Sequence, residues 1–141
     1  MADEERKKDL LKEIDLIQSI INRMANTSFL IKGWAVTMIA LIFSFKSNPE
    51  TLPLVFIPVI LFWFLDAYFL QQERLYRKLY QWVIQNRMTD DSHLFSLSTA
   101  RFEPEKQSLL RLMFSITIGS FYAGALVLVV AYIVFRVLFL S

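Results

Sequence analysis

The chain has 141 residues, a formal net charge of +2 and 55% hydrophobic residues, including 13 Phe, 5 Tyr and 3 Trp. An average soluble protein is roughly 45–50% apolar, and a chain this short cannot hide the excess in a water-soluble core. The charges are interspersed rather than gathered into one basic patch, which argues against nucleic-acid binding, and the lack of cysteine excludes disulfides, thiol catalysis and thiolate metal sites.

The N-terminus is charged, with no short apolar run and small-residue cleavage site behind it, so no secretory signal peptide is expected. Residues 4–28 predict an amphipathic helix. Leu10, Ile14, Ile17, Ile21 and Met24 recur at spacings of four and three, a single stripe, with Lys7, Lys8, Lys12, Glu13 and Asp15 largely outside it. Such a helix either packs on a neighbouring helix or lies on the lipid surface. A polar face that is not predominantly basic weighs against lipid.

Three apolar runs follow, at residues 28–46, 52–70 and 112–135, each near the length a membrane-spanning helix needs. The expected fold class is an all-α membrane protein with three transmembrane helices in one membrane domain, residues 1–141. Lys46 to Thr51 reads as a polar turn, with Asn48-Pro49 as its signal. Pro53 suits the first helical turn, and Pro58 should bend the second span. No breaker follows Leu70, so one long helix over residues 53–88 is predicted, leaving the membrane near Gln71. Residues 89–106 predict an ordered loop or small cap. Glu103-Pro104-Glu105 resembles a helix start leading towards the third span.

Basic residues concentrate in the N-terminal segment and in residues 71–112, whereas the turn between the first two spans holds only Lys46. The positive-inside rule then puts the N-terminus and residues 71–111 in the cytoplasm and the C-terminus outside, a multi-pass topology. Arg136, near the outer end of the last span, either snorkels to the interface or faces an aqueous path.

Two charges lie inside the spans. Lys32 is three residues into the first and Asp66 four residues from the end of the second. Because these spans run antiparallel, both sit at about the same depth, roughly 5 Å inside the apolar boundary at 1.5 Å per residue. A lone charge there costs at least a few kcal/mol. Either the two pair and hold the hairpin together, or Asp66 faces water and handles an ion or proton. Trp34 and Trp63 fall towards the same side, as interface anchors or as packing around the pair. Gly33 permits close backbone approach. Ser115 with Gly119, and Ser120 with Gly124, form small-xxx-small pairs that let helices pack closely in lipid, within one chain or between copies.

No motif for chemistry is evident. His93 is the only histidine and lacks partners at metal-ligand spacing; there is no phosphate-cradling glycine loop, HExxH or nucleophile elbow. No enzymatic activity and no cofactor are expected.

The runs INRMANTSFLIKGWAVT (residues 21–37), FWFLDAYFLQQERLYRKLYQWV (62–83) and LRLMFSITIGSFY (110–122) resemble small bacterial inner-membrane proteins of the RipA-type octameric group. The resemblance covers most of the chain and includes Lys32, Gly33, Trp34, Asp66, Gln72, Glu73 and Arg74. It implies a homo-oligomeric ring and brings no reaction or active-site residues with it; some similar membrane proteins act as effectors in antiphage defence. The sequence therefore leads to three expectations. The first is a homo-oligomer with a ring or pore-like form and a cytoplasmic helical collar. The second is an anchor or effector regulated by a cytoplasmic partner through the collar and the 89–106 loop. The third is an ion or proton pathway through Asp66.

Overall fold

The computed structural model describes residues 2–44 and 52–139, so the expected turn at residues 46–51 lies outside the described residues. Every regular element among them is helical: α1 (Ala2–Ser44), α2 (Phe56–Asn86), α3 (Leu109–Met113) and α4 (Ile116–Phe139), with short 3₁₀ segments at Leu52–Val55 and Ala100–Glu105. α1, α2 and α4 are long and apolar enough to cross a membrane.

The amphipathic N-terminal segment and the first span form one helix of 43 residues. No proline interrupts it, and Asp3, Glu4 and Glu5 in its first turn suit the positive end of the helix dipole. Leu52–Val55 is a 3₁₀ turn, and the α-helix begins at Phe56. Pro58 therefore stands in the first α-helical turn, where a missing N–H breaks no bond, rather than at the expected bend deeper in the span.

The third segment departs most from expectation. Glu103-Pro104-Glu105 ends a 3₁₀ turn instead of opening a helix, and Lys106 is extended at φ −65°, ψ 126°. Gln71 Nε2 donates to Gln107 O at 2.5 Å, and Arg74 donates to Gln107 Oε1. Those bonds tie down the chain just after Lys106, where a helix from Pro104 would have run. Helix resumes at Leu109, breaks at Phe114–Ser115, and restarts at Ile116. The break is a local tightening: Ser115 N donates to Leu112 O at 3.0 Å, an i to i−3 bond, before Gly119 N returns to Ser115 O at 2.7 Å.

The chain divides into two compact units, Met1–Thr27 with Phe69–Gln107, and Ser28–Tyr68 with Ser108–Ser141. In the first, Ile17 and Ile21 of α1 bury against Leu79 and Val83 of α2, with Leu10, Ile14, Tyr76, Tyr80, Trp82, Leu97 and Phe102 packed around them. Glu13, expected on the polar face, is fully buried. It accepts both Arg87 Nε and Arg87 NH2 at 2.7 Å, the bidentate geometry that a guanidinium gives a carboxylate. The remaining Arg87 donors hold the following turn through the carbonyl oxygens of Asp90 (3.1 Å), Ser92 (2.7 Å) and His93 (3.4 Å).

The second unit has a small interior of Ile31, Ala35, Val55, Val59, Ala67, Leu112, Ile118, Tyr122 and Val129. Its outward surface is apolar: only 11% of the most hydrophobic 18-residue stretch of α4 is buried. Phe29, Leu30, Trp34, Ile57, Leu61, Val127, Leu128 and Phe135 are all exposed. Contiguous apolar surface on this scale is costly in water and suits lipid or another apolar helix.

Candidate functional site

Within the second unit, α1 and α2 bring Lys32 and Asp66 together, Nζ to Oδ2 at 2.5 Å. Asp66 falls on the buried line of α2, two turns after Val59, and is fully buried; the Lys32 side chain is 21% exposed. Ser28, one turn before Lys32, links the two: its Oγ accepts from Lys32 Nζ at 2.9 Å and its hydroxyl donates to Asp66 Oδ1. The Lys32 ammonium also lies 6.0 Å from the centroid of the Phe121 ring on α4.

α4 adds Tyr122. Its hydroxyl is buried and within reach of the Asp66 carboxylate. Neither that hydroxyl nor Asp66 Oδ2 makes an aligned hydrogen bond, so the Lys32–Oδ2 contact is held by charge. Trp63 stacks on Tyr122 at 5.8 Å between centroids and meets Phe114 edge-on at 5.4 Å. Its indole N–H donates to Met113 O at 2.9 Å, a carbonyl at the end of α3 that an unbroken helix would have bonded internally. The α3–α4 break thus leaves an acceptor for which the indole compensates, as a low-dielectric setting demands. Trp63 packs around the pair, while Trp34 is 61% exposed on the outer face.

The other candidate positions separate from this cluster. Gly119 works within its own chain: a Cβ there would meet Met113 O at 3.2 Å and the Phe114 backbone at 3.3–3.4 Å. The Ser115 hydroxyl is buried without a hydrogen-bond partner, and Ser120 Oγ donates back to Ile116 O at 2.5 Å. A Cβ at Gly33 or Gly124 would meet nothing within 4 Å. Gly33 lies in a shallow apolar hollow of about 380 Å³ with Phe29, Leu30, Trp34 and Thr37. Arg136 stands in the last turn of α4.

Ser28, Tyr122 and the Glu13–Arg87 pair are not among the candidates expected from the sequence. Signals for three of them were present: Ser28 precedes Lys32 by four residues, Glu13 precedes Ile17 by four, and Arg87 follows Val83 by four, all helical neighbours. In the same turn as Arg87, the Ser92 hydroxyl and N–H hold the Asp90 carboxyl below its ordinary 3.8, with Arg87 and His93 assisting through charge. Among the described residues no group of three His, Cys, Asp or Glu is placed to hold a metal ion.

No protein-family model, curated protein or solved structure matches the chain.

Proposed function

We propose that this chain is a non-enzymatic, multi-pass membrane protein of the inner-membrane type whose copies assemble into a ring. In this reading the Lys32–Ser28–Asp66 cluster is the internal clamp that sets the register of the first two spans. The observation that carries the assembly is the pair of open glycines. Gly33 and Gly124 have nothing within 4 Å of a Cβ position, so their small size serves no contact in the chain itself. Both lie on helices rich in exposed apolar side chains, where a small residue lets a second helix approach closely in lipid. The octameric group that the sequence resembles points the same way. The Ala2–Thr27 part of α1, packed on the Phe69–Asn86 part of α2, forms the helical collar and stands in the cytoplasm by the distribution of basic residues.

Light scattering on the detergent-solubilised chain tests the assembly. The expected protein mass is a multiple of 16.6 kDa, and Gly33→Leu or Gly124→Leu lowers it while helical content is kept. A monomeric mass in mild detergent and in native lipid discs sinks the proposal.

A second reading, proton or ion passage through Asp66, draws on the buried Tyr122 hydroxyl, which has no hydrogen-bond partner, beside the Asp66 carboxylate. Intramembrane carboxylates are functional more often than not, but the ammonium at 2.5 Å already balances this one. Proton flux into liposomes that is lost in Asp66→Asn, with assembly intact, would favour this reading over the clamp.

A further inference from the structure

The first unit carries a concavity apart from the Lys32–Asp66 cluster. A cavity of about 210 Å³ is lined by His93, Ser96, Ser98, Ala100 and Arg101, room for several waters at about 30 Å³ each. Its lining is rich in donors. Arg101 presents a guanidinium, His93 has at least one ring N–H in either protonation state, and the two serines add hydroxyls. Ser98 Oγ accepts from Ala100 N at 3.3 Å, which leaves its hydroxyl hydrogen to donate elsewhere.

Several acceptors of the same loop are already engaged. His93 O takes Ser96 N at 2.9 Å and Arg87 NH2 at 3.4 Å. Each nearby carboxylate has a partner: Asp90 accepts from Ser92 N (2.8 Å), Asp91 pairs with Arg6 (2.9 Å), Glu105 with Lys78 (2.6 Å) and Glu103 with Lys106 (3.4 Å). Among the described residues Arg101 has no carboxylate within 4 Å. It is nevertheless held in place, since its guanidinium lies 3.9 Å from the Trp82 ring centroid and 5.1 Å from that of Phe102. Cation–π contacts of this kind restrain the guanidinium, so less freedom is lost when a ligand arrives.

The loop geometry is specified as well. His93 and Phe95 have positive φ, 59° and 57°, a conformation uncommon for non-glycine residues. The Arg87 bonds to Asp90, Ser92 and His93 carbonyls hold the turn that carries it.

We propose that this cavity is a binding site for a phosphate group, with Arg101 as the charged fork and His93, Ser96 and Ser98 as further hydrogen-bond donors. A tetrahedral oxyanion accepts from several converging donors at once, and Arg supplies two in its plane. The same chemistry is offered by free phosphate and by the headgroup of an anionic phospholipid.

The full-length chain in detergent is titrated with inorganic phosphate by calorimetry, and its retention of phosphatidic acid over phosphatidylcholine is measured by native mass spectrometry. Saturable binding of at least one probe is expected, weakened at least about tenfold by Arg101→Gln and in part restored by Arg101→Lys, with circular dichroism unchanged. Phosphate binding identifies the free anion; retention of phosphatidic acid alone identifies the headgroup. Binding of neither probe overturns the proposal, as does binding that Arg101→Gln leaves intact. Should Arg101→Gln disturb the fold through Trp82, the double variant Ser96→Ala, Ser98→Ala removes two donors without touching the stack, and unchanged affinity there overturns the proposal equally.

Discussion

A lysine in hydrocarbon is tolerable beside a counter-charge, and a fully buried aspartate is tolerable beside a lysine; each of Lys32 and Asp66 makes the other affordable. Removing one partner of a buried pair leaves the other uncompensated, at about 3–5 kcal/mol, whereas replacing both by apolar groups of similar shape is often near neutral. Lys32→Ala is therefore expected to destabilise the chain by about that amount in mixed-micelle unfolding. The combination Lys32→Met, Asp66→Leu should recover most of it, and the exchange Lys32→Asp, Asp66→Lys should recover part. Ser28→Ala removes one hydrogen bond on each side and should cost on the order of 1–3 kcal/mol, since both its partners are charged. If Lys32→Ala unfolds within about 1 kcal/mol of the parent, the clamp is not what holds the hairpin. The juxtaposition of Lys32 and Asp66 was legible because charge is scarce in the spans and antiparallel depth is simple arithmetic. Tyr122 was not, because nothing in one sequence tells which face of the third span meets the first two. Glu13 was misassigned for a related reason: a glutamate beside an apolar stripe reads as solvated until its partner, Arg87, arrives 74 residues later.

At the scale of elements, the long helices were readable and the third segment was not. α1 and α2 follow from apolar periodicity and the lack of breakers. The interruption at Phe114–Ser115 falls in a run of good spanning residues with no proline or glycine at the break itself, so no local signal announces it. Its cause is tertiary: the Trp63 indole captures Met113 O, and Gly119 admits the end of α3 against the start of α4. The atoms a Gly119 Cβ would meet are all backbone, as close as 3.2 Å, and cannot rotate away. Gly119→Ala is expected to cost about 1–3 kcal/mol, the usual range for overpacking, and to alter Trp63 emission as the indole–carbonyl bond shifts. Gly124→Ala, with open space around its Cβ position, should be neutral or gain about 0.5–1 kcal/mol from the helix propensity of alanine. Equal effects at the two glycines would mean that the close crossing of α3 on α4 contributes nothing to stability. The serine–glycine spacing was visible in the sequence; that one glycine turns inward and the other outward depends on the break.

For the whole molecule the question is which surfaces meet lipid and which side of the membrane each loop occupies. The lack of cysteine makes this directly measurable, because a single introduced thiol reports alone. Leu61 and Leu128 are 61% and 69% exposed, whereas Ala35 and Val129 are 2% and 0% exposed. With nitroxide labels at these four positions in lipid vesicles, Leu61→Cys and Leu128→Cys should be accessible to dissolved oxygen and shielded from an aqueous nickel chelate. Ala35→Cys and Val129→Cys should be protected from both. Aqueous accessibility at Leu61 and Leu128 would mean that the apolar faces line water, contrary to the lipid or helix contact that their chemistry favours. A charged, membrane-impermeant maleimide adds the orientation. Ser92→Cys, in the turn that Arg87 organises, should react only after permeabilisation of the cell membrane, and Ser47→Cys, between the first two apolar runs of the sequence, should react in intact cells. The reverse pattern would place the basic collar outside, against the bias of charge that governs insertion. It would also place the proposed phosphate site of the same unit outside the cytoplasm.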